Sequence, residues 1–167
     1  MERSITVSEL KTQKRSVAIS MTEEERDDYL RVERVCRVAS VGADGNPHVT
    51  PLWFVWDGTA LWLNSIVKSQ RWVDLHRHPH IAVVVDGGVE FFELHGVEIE
   101  GTVTVVGEVP REATNNAELE PIELEFARKY SNSDSFYVDG RHGWLKVTPS
   151  KITSWDFRKN ASLRPNQ

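Results

Sequence analysis

The sequence predicts a mainly β domain in which antiparallel strands close into a barrel and short helices are inserted between them. Two observations lead to this prediction. Short runs of β-branched and aromatic residues alternate with clusters of Gly, Asp, Asn and Pro that form turns. The helical patterns are brief, and six or more strands in an open sheet would leave unpaired edges. The absence of β-α-β alternation, of G-x-G-x-x-G and of a P-loop argues against nucleotide-binding α/β folds.

Length and composition fit one soluble globular domain. The chain has 167 residues, 40% of them hydrophobic and 27% charged, with a formal net charge of -5. Because no Lys/Arg run is present, we expect a small ligand rather than nucleic acid or a membrane surface as the main partner. Residues 1–20 are polar and read as a flexible arm, 21–160 form the barrel domain and 161–167 a tail. A cytoplasmic protein is expected.

The first half of the chain is predicted to hold two short helices and a three-stranded meander. Thr22 and Glu25 form a capping box that starts a helix ending near Val32. A second helix runs from Gln70 to His78, where Pro79 ends it. The predicted strands are Val35 to Val41, His48 to Trp56 and Ala60 to Ser65.

The second half is predicted to hold four further strands and one helix. The helical pattern extends from Arg111 to Tyr130, with Pro121 in its first turn. The predicted strands are Ile81 to Val85, Gly101 to Val109, Gly143 to Val147 and Lys151 to Phe157. Cys36 is the only cysteine and lies in an apolar stretch, so we expect a buried thiol without a chemical role.

The segment from Asn64 to Leu75 has the features of an anion-binding site. Ser65 ends a strand, Ser69 can cap the following helix, and Lys68 and Arg71 lie beside the start of that helix. Unsatisfied amides at a helix N-terminus and two cations together favour a phosphate group. The alternative is that both cations are solvated surface charges next to an ordinary capped helix.

Several motifs resemble the pyridoxamine 5'-phosphate oxidase-like split-barrel superfamily, particularly its actinobacterial flavin and deazaflavin oxidoreductases. The motifs are Ala39-Ser40-Val41 with Asp44-Gly45, Pro47-His48-Val49-Thr50-Pro51, Leu52-Trp53-Phe54-Val55-Trp56-Asp57-Gly58, Arg71 to Leu75 and Ile152-Thr153-Ser154-Trp155-Asp156-Phe157. The resemblance implies a six-stranded antiparallel split β-barrel of the FMN-binding type and a homodimer with a cofactor at its interface.

The same resemblance implies which residues contact the cofactor. Those expected beside the ring are Val49, Thr50 and Pro51, and those expected at the phosphate-bearing tail are Asn64, Ser65, Lys68, Ser69 and Arg71. The chain departs from the family in having Arg71 where Lys is frequent and Asp74 where Asn is frequent. It also lacks the Arg-Leu-x-Pro-type tail of true pyridoxamine phosphate oxidases, which argues against that particular reaction.

Other candidate residues have competing interpretations. Trp53, Trp56 and Trp72 could line a substrate pocket or serve as core anchors. The histidines His76, His78 and His80 span a helix end and a proline, so they do not share one face as metal ligands would, and no metal site is predicted. No catalytic side chain is named, because in hydride transfer the cofactor carries the reaction.

We therefore predict an oxidoreductase that binds FMN or deazaflavin coenzyme F420 and transfers hydride to a small electrophilic substrate. The alternative is a non-catalytic flavin- or haem-binding split-barrel protein. A second observation, independent of the resemblance, also favours a homodimer. Ile81 to Val85 and Leu52 to Trp56 carry apolar side chains on both faces, so one face of each strand needs cover from a second subunit. One barrel interior covers only one face of each strand.

Overall fold

A single antiparallel sheet dominates the structure, a computed structural model that describes residues 11, 13, 17–112, 114–160 and 162. Within these residues the seven strands are β1 (Cys36–Val41), β2 (Pro47–Leu52), β3 (Phe54–Trp56), β4 (Leu61–Ile66), β5 (His80–Gly87), β6 (His95–Val106) and β7 (His142–Asp156). The α-helices are α1 (Glu23–Val32), α2 (Gln70–Arg77) and α3 (Leu119–Ser131). The mainly β class is confirmed, and the sheet has seven strands where the family resemblance implied six.

The sheet curls into a split barrel. Its strand order is β2-β1-β5-β6-β7-β4-β3, and each neighbouring pair is antiparallel. β2, at one end of this order, contacts β4, near the other end. The barrel is therefore closed at this point by side-chain packing rather than by a continuous ladder, and the seam between β2 and β4 becomes important for the candidate site.

Two apolar layers stabilise the sheet. The interior layer contains Leu30, Cys36, Val38, Phe54, Trp56, Leu61, Leu63, Trp72, Leu75, Ile81, Val83, Val85, Val97, Ile99, Val103, Leu145 and Val147. The outer layer, between α3 and the sheet, contains Val55, Ala60, Trp62, Leu119, Ile122 and Trp144. Successive residues of β4 enter different layers because side chains alternate along a strand. This is why β4 is buried on both faces.

The first two helices begin and end where local signals predict. The Thr22 hydroxyl accepts from the Glu25 amide at 3.2 Å, and the Thr22 amide donates to Glu25 Oε2 at 2.7 Å. α1 ends at Val32, as predicted, and α2 begins after its cap Ser69. α2 ends one residue before the predicted position, just ahead of Pro79. These signals depend on contacts within a few residues, so the sequence alone reveals them.

α3 is shorter than predicted. It begins at Leu119 rather than at Arg111, although Pro121 does lie in its first turn. The described residues before it form a loop, in which the Arg111 guanidinium bonds Glu123 and the Thr114 carbonyl oxygen. These tertiary bonds replace the helical turns that the pattern suggested.

The predicted strand from His48 to Trp56 is two strands, β2 and β3, separated by Trp53. They lie at opposite ends of the sheet order, so the predicted meander is wrong. The reason is a tertiary contact with α3. The Phe54 amide donates to the Tyr130 hydroxyl at 2.9 Å, and that hydroxyl lies 2.8 Å from the Phe54 carbonyl oxygen. The bonding side chain is 76 residues away, beyond the reach of a local pattern.

The last two predicted strands are one continuous strand, β7, of 15 residues. Pro149 is tolerated because the β6–β7 register shifts between Glu100 and Gly101, which leaves Ser150 unpaired in a bulge. The Ser150 hydroxyl donates to the Glu100 carbonyl oxygen at 3.1 Å and secures the bulge. β6 also begins earlier than predicted, at His95, because it pairs with β7 along its whole length.

Most of the predicted arm (1–20) and of the predicted tail (161–167) lies outside the described residues. Of the helices that the structure describes, none has the length and apolar character needed to cross a membrane.

On β5, Ile81, Val83 and Val85 are buried while Ala82 and Val84 are partly exposed. The expected burial on both faces is thus found on one face within a single chain.

Lys129 joins α3 to the edge of the sheet. Its Nζ lies 3.3 Å from the Leu30 and Phe54 carbonyl oxygens and 4.2 Å from the centroid of the Phe54 ring. Burial lowers the pKa of Lys129 to about 8, and the nearby Glu125 opposes this shift only in part. The ammonium group is therefore held by carbonyl dipoles and a ring face at a cost in desolvation.

We expect the free energy of unfolding to rise as the pH increases from about 8 to 9.5, because the folded state loses the Lys129 proton while the unfolded state retains it. Lys129→Arg should abolish this rise, since a guanidinium stays charged over the same range. Urea unfolding of both proteins across the range measures the difference. Parallel pH profiles for the two proteins would contradict the prediction.

Candidate functional site

Arg71 lies at the seam between β2 and β4. It occupies the first turn of α2, whose cap Ser69 accepts a hydrogen bond from the Trp72 amide at 3.3 Å. Only 6% of Arg71 is exposed. Its guanidinium donates to Ser65 Oγ on β4 at 3.1 Å and to Thr50 Oγ1 on β2. One side chain therefore connects the two strands that close the barrel.

The charge of Arg71 has no counter-ion in the described part of the chain. Its bonding partners are neutral hydroxyls, and its buried Nε has no hydrogen-bond partner there. Desolvation lowers the pKa of Arg71. The nearest candidate on the same helix, Asp74, is fully buried and instead accepts from Gln70 at 2.7 Å and from Ser40 at 3.2 Å. A buried cation without an anion is unfavourable, so the site is suited to an anionic ligand.

Another buried arginine, Arg111, has the opposite environment. It forms ion pairs with Glu108 and, at 2.7 Å, with Glu123, and only 4% of it is exposed. The hydrogen bonds that Arg111 donates to these carboxylates raise its pKa. Because this charge is already neutralised, Arg111 is a structural ion pair and Arg71 is the better anion ligand.

The predicted tail residues are only partly brought together. Ser65 and Arg71 are in contact, and the Ser69 hydroxyl caps α2 by accepting from the Trp72 amide. Lys68 is exposed in the turn that precedes α2. Asn64 does not join them. It is adjacent to Ser65 on β4, and successive strand residues face opposite sides of the sheet, so Asn64 lines a cavity on the α3 side.

The three residues predicted beside a ring also divide by face. Thr50 turns inward to Arg71. Val49, which is 59% exposed, and Pro51 turn outward on the edge strand β2. The apolar side chains of Val49 and Pro51 therefore lie on the face of β2 opposite to the one from which Thr50 contacts Arg71.

A cavity of about 370 Å³ lies beside α3, between the β2–β3 connection and the loop that follows the helix. Its lining residues are Leu52, Trp53, Asn64, Arg111, Phe126, Ala127, Ser131, Phe136, Tyr137, Val138, Asp139 and His142. Trp53 forms part of the wall and stacks on Tyr130, with ring centroids 4.4 Å apart and an interplanar angle of 8°. Of the three tryptophans considered from sequence, Trp53 is the one that lines this cavity.

The other two tryptophans belong to the core. Trp56 is 2% exposed and its Nε1 donates to Asp27 at 2.9 Å. Trp72 is 6% exposed and its ring packs over Gly143, where a Cβ would lie 2.8 Å from the ring. Neither is available to a ligand in the cavity, because both are buried in the interior layer of the barrel.

Asp139 and His142 were not singled out from sequence. Asp139 Oδ2 lies 2.7 Å from His142 Nδ1, and Asp139 Oδ1 accepts from the backbone amides of Arg141 at 2.9 Å and His142 at 3.1 Å. These hydrogen bonds hold the pKa of Asp139 below its usual value, against the effect of burial. The only local signal is an Asp-Gly turn followed by a histidine where β7 begins, and such turns are common.

The three histidines near α2 are all exposed. His76 stacks on Trp72 with a centroid distance of 6.1 Å, and His78 is the C-cap of the helix. Among the residues that the structure describes, no group of three or more His, Cys, Asp or Glu side chains is arranged to hold a metal ion.

The chain is similar to known proteins over most of its length. A family model described as pyridoxamine 5'-phosphate oxidase matches residues 22–156. A conserved hypothetical protein from Mycobacterium tuberculosis has a similar structure, with a TM-score of 0.76 and 26% identity over 93% of this chain and 96% of that one. No curated protein matches the sequence.

Two more distant structures share the fold. An F420 reductase has a TM-score of 0.57 and 21% identity, over 75% of this chain and 94% of that one. The haem storage protein HutZ from Vibrio cholerae has a TM-score of 0.62 and 10% identity, over 80% and 96% of the two chains. At these identities the likeness extends to the fold alone.

Proposed function

The chain belongs to the pyridoxamine 5'-phosphate oxidase family, and from this premise we propose that it is an oxidoreductase that binds FMN or coenzyme F420. In this proposal the cofactor lies at a dimer interface, and hydride passes to a small electrophilic organic substrate. A bound flavin or deazaflavin supplies a ring that accepts and donates two electrons as hydride. The protein residues bind and orient this group and exclude water from it.

The observation that carries the proposal is the uncompensated charge of Arg71. A guanidinium that is 6% exposed and bonded only to the hydroxyls of Thr50 and Ser65 matches a phosphate in charge and in donor geometry. The exposed Lys68 and the backbone amides at the start of α2 also attract an anionic group such as phosphate. FMN and F420 both carry a phosphate, so both fit this arrangement.

The ring would lie on the outward face of β2, against Val49 and Pro51. Part of the adjoining outer surface of the sheet is also apolar, because Ala39 pairs with both Val49 and Ala82 across three neighbouring strands. Arg37, which pairs with Pro51 on the same face, forms an exposed ion pair with Asp86 at the side of this patch. Val41 on the same face is 44% exposed. A second copy of the chain, related by two-fold symmetry, would cover this patch and enclose the cofactor ring between subunits.

One titration tests the proposal. We expect FMN or F420 to bind at one equivalent per chain, and light scattering with absorbance detection should find the bound cofactor in a dimer peak. A cofactor-saturated dimer should also unfold at a higher temperature than the apoprotein, by mass action. Reductant should bleach the bound cofactor, and an electrophilic acceptor should restore its absorbance.

Haem titrated in parallel provides the control. A Soret band at one equivalent per chain, with no binding of FMN or F420, would replace the proposal with the haem-carrier alternative. Tight flavin binding without turnover of any acceptor would favour a flavin carrier. A monomer that keeps one cofactor per chain would contradict the shared site.

A further inference from the structure

The aromatic cavity beside α3 has the size and the walls of a small-molecule pocket. Its volume of about 370 Å³ lies within the range typical of such pockets, roughly 300–1,000 Å³. Aromatic rings form much of its wall: Trp53, Phe126, Phe136 and Tyr137. A pocket of this kind favours a planar, largely apolar ligand, because ring faces give large contact areas at low entropic cost.

The aromatic walls are held in place by their neighbours. Phe126 packs edge-on to Trp144 at 5.5 Å and to Phe136 at 5.7 Å, and Trp144 is completely buried. Trp53 is fixed by its stack on Tyr130, whose hydroxyl bonds the β3 backbone. The walls formed by Trp53, Phe126 and Phe136 are therefore preformed, whereas Tyr137 is 83% exposed.

Two polar groups in the pocket have a nitrogen without a hydrogen-bond partner among the described residues: Asn64, where that atom is buried, and His142, whose side chain is 29% exposed. Asn64 Nδ2 is a buried donor with no hydrogen-bond partner among the described residues. His142 uses Nδ1 towards Asp139, and within the same residues no partner bonds its Nε2. A ligand that offers an acceptor oxygen would satisfy both groups, and the gain is larger at Asn64 because its amide nitrogen is buried.

The neighbouring charges are arranged to keep His142 in position. Asp139 is the carboxylate that faces its ring, and two backbone amides fix that carboxylate and favour its ionised form. Arg111 also lines the cavity, but its charge is neutralised by Glu108 and Glu123. Asp139 therefore fixes the orientation of the imidazole and directs its Nε2 away from the carboxylate, as the carboxylate partner of a catalytic histidine does.

We propose that this cavity binds the electrophilic substrate and that His142, oriented by Asp139, donates the proton that completes its reduction. The inference rests on the proposed function. The pocket adjoins the anion site through both strands of the seam, since Leu52 lies two residues from Thr50 and Asn64 lies next to Ser65. A substrate in the pocket is thereby close to a cofactor held at Arg71.

For a conjugated ketone the step balances as follows. A C–H bond forms at the β-carbon with a hydride from the reduced flavin or deazaflavin, which is oxidised by two electrons. The electron pair of the C=C bond forms a new double bond between the α-carbon and the carbonyl carbon, and the π pair of the C=O bond moves to the oxygen. That oxygen takes the Nε2 proton of the His142 imidazolium. The resulting enol becomes the saturated ketone, and the imidazole recovers a proton from water. Asn64 donates to the same oxygen and Asp139 is a positioning residue.

Turnover of the cofactor-loaded protein with 2-cyclohexen-1-one tests the proton donor. His142→Gln should lower kcat by about 100-fold or more, the range for general acid catalysis, with little change in KM. Cofactor affinity should not change, and neither should the rate with ferricyanide when FMN is the bound cofactor, because FMN passes single electrons to this acceptor without a proton. His78→Gln, at the exposed end of α2, is the matched control. An unchanged kcat, or an equal loss with ferricyanide, would overturn the proposal.

A second measurement needs no cofactor and so separates this inference from the proposed function. Acetophenone, a planar aromatic ketone, should shift the ring-nitrogen NMR signals of His142 in the apoprotein, and these signals are identified by their loss in His142→Gln. Asp139→Asn should change the tautomer that the same signals report, and Asn64→Leu should weaken acetophenone binding several-fold. If acetophenone leaves the histidine signals unchanged, the cavity is not the substrate pocket, even where the protein binds FMN or F420.

Discussion

Replacement of Arg71 by methionine is expected to weaken binding of FMN or F420 by about 1.5–3 kcal/mol, the range for hydrogen bonds to a charged group. This corresponds to a loss in affinity of roughly 10- to 150-fold. The physical reason is that Arg71 is the buried cation without a counter-ion in the described residues. Isothermal titration of the folded variant with each cofactor measures the effect.

The stability of the unliganded Arg71→Met variant discriminates between two roles. If Arg71 were chiefly a clamp between Thr50 and Ser65, its loss would destabilise the apoprotein strongly. If it is chiefly an anion ligand, the apoprotein should stay within about 1 kcal/mol of the parent or become more stable, since an uncompensated buried charge has been removed. Arg77→Met, on the exposed end of α2, should alter neither stability nor affinity. Unchanged cofactor affinity in folded Arg71→Met would remove Arg71 from the site.

Replacement of Arg111 by methionine should have the opposite outcome, a large loss of stability. Arg111 is paired with Glu108 and Glu123, and the Glu123 side chain is only 13% exposed. Removal of the cation leaves a nearly buried carboxylate without its partner, which typically costs about 3–5 kcal/mol. The loop before α3 would lose its attachment as well, because Arg111 also bonds the Thr114 carbonyl oxygen. Urea unfolding measures the change in free energy.

Two further variants test whether the unpaired charge of Glu123 causes the loss of stability in Arg111→Met. Glu123→Gln in the Arg111→Met background should recover part of the lost stability, since an amide can still accept from Trp144 Nε1 without a buried charge. Arg128→Met breaks an exposed pair with Asp134 and should cost less than about 1 kcal/mol. Similar losses in Arg111→Met and Arg128→Met would show that burial of the pair contributes little.

The two arginines also show how far sequence reasoning reached within the site. Arg71 was a candidate because a cap, a neighbouring lysine and a strand end stand within a few residues of it. Arg111 looked like one more residue of a helix, since the carboxylate that it bonds on α3 is 12 residues away. The partners of a charge decide whether it binds a ligand or stabilises the fold, and those partners are set by tertiary contacts.

The same distinction applies to the cavity. Trp53 was a candidate, but nothing near it in the sequence separated it from Trp56 and Trp72. Its exposure follows from the break between β2 and β3, which depends on Tyr130 of α3. His142 was overlooked because its role requires Asp139 and the opposing strand β4 at once.

Local signals were sufficient for the fold class and for the helix caps at Thr22 and Ser69, and they made Arg71 a candidate anion ligand. Each of these depends on interactions that span only a few residues, where spacing and side-chain chemistry determine the outcome. Tertiary structure alone decided the separation of β2 from β3, the continuity of β7 through Pro149 and the division of Asn64 from Ser65 between two faces. These features depend on which strands pair and on what packs against each face, and such contacts join residues that are distant along the chain.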